Sequence, residues 1–168
     1  MATNGDNLIF RPDPASAGGT QRCGAATFAV RHPSSTRISV AVLGEVDAVN
    51  GRALGRYVER HTRSSRQLVL DLRAVEFFGT AGFTALYYTN VHCTRSDVDW
   101  VIVGSRAVRR LLCICDPHGE LPLVDDLSSA LLRLDRLARC RHPVVWTGRS
   151  GWHTENRPQT RADTSVAS

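Results

Sequence analysis

The residues best placed to do chemistry lie in Gly79-Thr80-Ala81-Gly82. The hydroxyl of Thr80 sits among small residues that leave it accessible. Before it comes an apolar run around one acid (Leu68, Val69, Leu70, Asp71, Leu72), and after it a segment rich in apolar residues (Phe83, Ala85, Leu86, Tyr87, Tyr88). The stretch reads as a strand buried on both faces, a corner and a helix. A hydroxyl at the beginning of a helix has two uses. It can cap the free backbone N–H groups, a role worth about 1 kcal/mol. It can also carry an anion, which those groups and the helix dipole favour.

No catalytic constellation competes with it. His92 lies near Cys93, and His118 near Asp116, but neither pair has a nucleophile set in a motif such as G-x-S-x-G. P-loop, H-E-x-x-H and dinucleotide-binding glycine patterns are missing. The five cysteines, Cys23, Cys93, Cys113, Cys115 and Cys140, are odd in number and form no C-x-x-C pair. They read as reduced thiols, with no metal site and no disulfide framework. The sequence therefore points away from an enzyme and implies no cofactor.

The elements that must hold Thr80 follow from periodicity. Residues 1–24 contain Pro12, Pro14, Gly18 and Gly19 and read as a flexible leader. Ala25 to Val30 reads as a strand, joined by a short turn to a second with Ile38, Val40 and Val42 alternating. Asp47 is placed to cap a helix over about residues 48–62, with Val49, Ala53, Leu54, Tyr57 and Val58 as its apolar stripe. Arg52, Arg56, Glu59, Arg60 and Arg63 face water. After the Thr80 helix, Asp97 turns the chain into a strand ending at Val103. Ser105 offers a cap for a helix over 106–115. Leu121 to Val124 carries Pro122, which favours a sheet edge. Asp125 or Asp126 caps a last helix to about Ala138, with Leu127, Ala130, Leu131, Leu134 and Leu137 inward. Residues 139–168, with arginines, Trp146 and Trp152, show no sustained period and read as a basic, mostly disordered tail. The order β-β-α-β-α-β-α-β-α implies an α/β fold with a mixed, largely parallel sheet of four to five strands and about four helices.

Composition sets the remaining bounds. A chain of 168 residues, 42% hydrophobic and 22% charged, is one soluble domain with tails. No apolar run reaches the roughly 18 residues of a membrane span, and the beginning lacks a secretory core, so the expected compartment is the cytoplasm. The net charge is +5, and all 21 basic residues are arginine. Their scatter along the sequence argues against direct nucleic-acid binding.

Three stretches resemble one family. Gly44-Glu45-Val46-Asp47 is similar to its G-E-x-D. Leu68 to Phe78, followed by Gly79-Thr80-Ala81-Gly82, is similar to a strand, a D-L-x-x-V-x-F/Y link and D-S-S/T-G. Val108 to Leu112 with Gly119 is similar to a late V-x-R-L-L and G-L region. On these residues the span 25–138 resembles a STAS domain, specifically the bacterial anti-sigma factor antagonists. The resemblance implies partner switching in transcriptional regulation. The unphosphorylated antagonist binds an anti-sigma factor, a kinase of the GHKL type, and frees a sigma factor. The kinase phosphorylates the first hydroxyl of D-S-S/T-G, here Thr80, and a phosphatase restores it. The same resemblance makes Glu45, Asp47, Gly79, Ala81, Gly82 and Phe83 partner-binding residues. Gly79 departs from the family's aspartate, and Phe83-Thr84 from its Leu-Gly. The alternative is a constitutive STAS module that is never phosphorylated, or one that senses a small ligand.

Overall fold

A computed structural model describes residues 19–141 of the chain. Its elements run β1 (Thr20–Cys23), β2 (Ala26–Arg31), β3 (Arg37–Val46), α1 (Gly51–Thr62), β4 (Gln67–Phe78), α2 (Thr80–Arg95), β5 (Asp99–Gly104), α3 (Arg106–Cys115), β6 (Leu123–Val124) and α4 (Leu127–Arg141). The six strands lie side by side in chain order, β1-β2-β3-β4-β5-β6. β1/β2 and β2/β3 pair antiparallel, and the pairs from β3 to β6 are parallel.

The α/β class and the largely parallel sheet agree with the sequence. The strand count does not, because β1 lies inside the stretch read as leader. Gly24, at φ 58°, and Ala25 turn the chain between Cys23 and Ala26, and so pair residues 20–23 with β2. The rest of the expected leader, and the tail with Trp146 and Trp152, lie outside the described residues.

Strand alternation divides the core between two faces. Leu68, Leu70 and Leu72 of β4 point to the side covered by α1, α2 and α3, with Leu54, Tyr57, Val58, Leu86, Val108 and Leu112. Val69, Val101 and Val103 point the other way and meet Ala130 and Leu134 of α4. The central strand is thus dry on both sides, as its apolar run requires. β6 lies at the edge, directly after Pro122, as expected.

Side-chain caps set two of the four helix starts. Ser105 Oγ accepts from Val108 N at 3.4 Å and opens α3. Asp126, not Asp125, opens α4, with its carboxylate accepting from Ser129 N at 2.7 Å. That hydrogen bond holds the Asp126 carboxyl below its usual range. α4 runs past the expected Ala138 to Arg141, whose guanidinium meets Asp97 and Asp99, the latter at 2.8 Å. Leu137 is half out of the core rather than inward. α1 begins three residues later than expected, which leaves Val49 in the preceding turn and 75% exposed.

All five cysteines are free. Cys93 lies on the buried face of α2, and burial pushes its thiol from 9.0 up to about 12. The unfolded chain therefore ionises this thiol first as pH rises. The stability it contributes is complete below about pH 9 and is lost as pH climbs towards 12. Alkylation at about pH 8, read by mass spectrometry, is expected to mark exposed Cys113 and Cys140 and to spare Cys93 until denaturant is added. Labelling of Cys93 at the same rate as Cys140 would contradict this packing.

Candidate functional site

The site forms where β3 and β4 end together. Val46 pairs with Phe78, and Gly79 N donates to Val46 O at 2.8 Å. Parallel pairing carried to the last residue puts the turn after β3 beside the start of α2. The register slips twice on the way, between Ala41/Leu43 and between Gly44/Glu45, each time leaving an extra β4 residue unmatched. These bulges break the alternation of β4. Phe78 turns into the core, while Phe77 turns out and is 52% exposed.

The turn after β3 is built by two amide and carboxylate side chains. Asp47 Oδ1 accepts from Val49 N at 2.9 Å and Asn50 N at 3.3 Å. Asp47 therefore caps the turn before α1, and Asn50, not Asp47, stands at the helix boundary. Asn50 is fully buried. Its Oδ1 accepts from Asp47 N at 3.0 Å, and its Nδ2 donates to Glu45 O at 2.9 Å and Cys23 O at 3.3 Å. One side chain thus ties β1 and β3 to the turn. Gly44 is at φ 86°, and an added Cβ would overlap Ala25 O, so the G-E-x-D glycine is required by backbone geometry.

The start of α2 is bare. Gly79 is its N-cap, in extended conformation (φ −89°, ψ 178°), with no side-chain acceptor, and the first turn holds no acidic residue. Thr80 is the first helical residue rather than the cap. It is exposed, and among the described residues its hydroxyl has no hydrogen-bond partner. Its carbonyl accepts from Thr84 Oγ1 at 3.1 Å. The capping role open to Thr80 is therefore not the one it plays, and the anion-favouring end of the helix is unoccupied by any carboxylate.

The other expected residues fall into two groups. Glu45 is exposed, and Asp47 and Gly79 are half-buried, all at the same end of the sheet. Gly82 is buried instead. An added Cβ would lie 2.6 Å from the Phe78 ring, so Gly82 lets α2 start close against β4 and does not face outward. Phe83 is half-buried against the core, and Ala81 packs on the first turn of α1. Asp71 is structural, as its place in the strand suggests. It holds Arg73 through two contacts at 2.9 and 2.8 Å, which raise the Arg73 pKa. Sequence reasoning missed the exposed apolar residues Val49 and Phe77 near this corner, and Tyr87 and Tyr88 further along α2, 52% and 66% exposed. The signal for Phe77 was its adjacency to Phe78, since neighbours in a strand face opposite ways.

The STAS domain profile matches residues 28–130, more than half of the chain. The chain belongs to the STAS domain family. Osmosensory protein A of Mycobacterium tuberculosis is 32% identical over 73% of this chain and 79% of its own length. Anti-sigma-F factor antagonist RsfA of the same species is 28% identical over 73% of this chain and 98% of its own. The crystal structure of an anti-sigma factor antagonist from Mycobacterium paratuberculosis superposes with a TM-score of 0.56 at 26% identity, covering 66% of this chain and 94% of that one. Unphosphorylated SpoIIAA shares the fold, with a TM-score of 0.54 at 9% identity over 65% of this chain and 96% of its own. The resemblance to anti-sigma factor antagonists read from the STAS motifs is thus borne out. No helix among the described residues is long and apolar enough to cross a membrane.

Replacing Asn50 by Ala strands two carbonyls and one N–H in a buried turn. The expected cost is about 2–3 kcal/mol, measured by urea unfolding against the parent chain. A loss below about 0.5 kcal/mol would show that the turn does not depend on this amide.

Proposed function

We propose that the chain is an anti-sigma factor antagonist that binds an anti-sigma factor of the GHKL kinase type and so releases a sigma factor, with Thr80 as the switch. The observation that carries this reading is the exposed, unpartnered Thr80 hydroxyl on the first residue of α2. The docking surface comprises Thr80, Gly79, Ala81, Glu45 and Asp47, with Val49, Phe77 and the exposed edge of Phe83 supplying apolar contact. Gly82 acts behind it, by seating the helix.

The switch step is a phosphoryl transfer. Thr80 Oγ attacks the γ-phosphorus of ATP held by the kinase, the bond to the β-phosphate oxygen breaks, ADP leaves and the hydroxyl proton is released. The product carries about −1.5 to −2 charge. The start of α2 tolerates it, since that end is positive and holds no competing carboxylate. A desolvated interface does not, because an unpaired buried charge costs several kcal/mol, on the order of 3–5. Each 1.4 kcal/mol is about tenfold in affinity, so the contact is lost without refolding. A phosphatase that hydrolyses the phosphothreonine restores it. In this scheme the chain is substrate and ligand rather than catalyst, and it works in the cytoplasm with the sigma factor.

A second reading is supported by Gly79. Where the family pattern has an aspartate, the N-cap here offers no carboxylate to orient the hydroxyl or the kinase's metal. A STAS module that binds its partner constitutively, or that senses a small ligand, needs no such group.

The two readings separate in one experiment. The full chain is incubated with anti-sigma kinases encoded near its gene and ATP, and followed by mass spectrometry and by binding. The switch predicts phosphate on Thr80 and none on Thr80→Ala, with affinity for the kinase lowered at least about 100-fold by Thr80→Glu. Stable binding with Thr80 unmodified, and unaffected by Thr80→Glu, would establish the constitutive reading instead.

A further inference from the structure

Helices α1 and α2 run in the same direction. At one end Gly51 lies so close to Ala81 that an added Cβ would come within 2.7–2.9 Å of it. At the other, Thr62 Oγ1 and His92 Nε2 are 2.8 Å apart. Between these contacts a groove of about 650 Å³ runs along the two helices. Gly55 makes the room, since nothing lies within 4 Å of the position its Cβ would take. The α1 wall extends from Gly51 to Glu59, a length of about 12 Å, or two helical turns, and Ala48 adds to it from the preceding turn.

The lining has one dominant sign. Arg52 and Arg56 from α1 and Arg95 from α2 face Glu59 as the single acid. Glu59 is partnered loosely by Arg63 at 3.9 Å, while among the described residues the three arginines have no acidic partner. Ala81 and the exposed ring of Tyr88 provide apolar surface between the charges. The arginines were scattered in the sequence, and helix packing gathers them.

We propose that this groove receives an acidic amphipathic helix of a protein partner. The inference deepens the reading of the chain as an anti-sigma factor antagonist and rests on it, the helix being part of that anti-sigma factor. Three features select a helix of this kind. Arg52 and Arg56 are four residues apart, about 6 Å along the axis, which is the spacing of carboxylates at i and i+4. The groove admits at least about two turns, and the apolar strip lies beside the charges, as helix-in-groove recognition needs. Glu59 sits within the groove and opposes a nucleic-acid backbone, which would bring phosphate along its whole length. The groove also borders Ala81 and Thr84, so an occupant is continuous with a partner seated at Thr80. The arginines then speed encounter and give the contact its salt dependence.

The test uses the full chain and two probes. The first is a fluorescent helical peptide of about 15 residues with glutamates at i and i+4 beside a leucine face, compared with its lysine counterpart by anisotropy. The expected result is binding of the acidic peptide alone, weakened at least tenfold by Arg52→Glu/Arg56→Glu and by Gly55→Leu, whose Cβ meets nothing within 4 Å and whose side chain narrows the groove. Arg133→Glu/Arg136→Glu, on α4 at the opposite face, should leave it unchanged. Equal binding of both peptides, or equal loss in the α4 variant, overturns the proposal. So does a tighter complex with a duplex oligonucleotide or with inorganic phosphate at the same residues. The second probe is the candidate anti-sigma kinase. If it binds the parent and Arg52→Glu/Arg56→Glu equally, the groove proposal fails and the antagonist reading stands. If no candidate kinase binds the parent, the antagonist reading fails, and the groove's preference for an acidic helix is still decided by the peptide.

Discussion

The structure depends on the parallel pairing of β3 with β4, which passes two register slips and still reaches Val46 and Phe78. Because both strands run the same way, the loops that follow them emerge at the same edge of the sheet. The hydrogen bond from Gly79 N to Val46 O makes that adjacency rigid. The turn holding Asp47 and the first residue of α2 are far apart in sequence and become one surface. Every property of the Thr80 hydroxyl, its exposure, its bare helix end and its apolar neighbours, follows from that closure.

Small residues hold the arrangement by what they leave out. Gly82 lets the Phe78 ring lie against α2, Gly51 lets α1 meet α2 at Ala81, and Gly44 turns β3 beneath Ala25 O. Where backbones approach this closely, any side chain would lift the helix from the strand. Asn50 supplies the polar complement, satisfying two carbonyls and one N–H that the turn would otherwise bury unpaired.

The fold was legible where burial and period agreed. The double-sided apolar run of β4, the caps Ser105 and Asp126, and the edge position after Pro122 all appear as their residue types dictate. Legibility failed where two residues offered the same service. Asp47 and Asn50 can each end a turn, and the division of labour between them moved the start of α1 and freed Val49. β1 was hidden because a four-residue polar strand has no period to detect, and only pairing with β2 defines it. The candidate site was legible in its motif residues and in Thr80. The outward face of α2 was not, because Tyr87 and Tyr88 carry the same apolar signature whether they meet a core or a partner. The arginine groove depends on two helices lying side by side, which no linear pattern encodes.

The two bulges in β4 separate this strand into an inner half that answers to the core and an outer half that answers to the corner. The first slip brings Val75 inward, out of phase with Leu68, Leu70 and Leu72, and the second restores the phase, so that Phe78 faces the core and Phe77 faces out. Such a joint lets a lineage rewrite its recognition surface while the scaffold beneath keeps its old sequence logic.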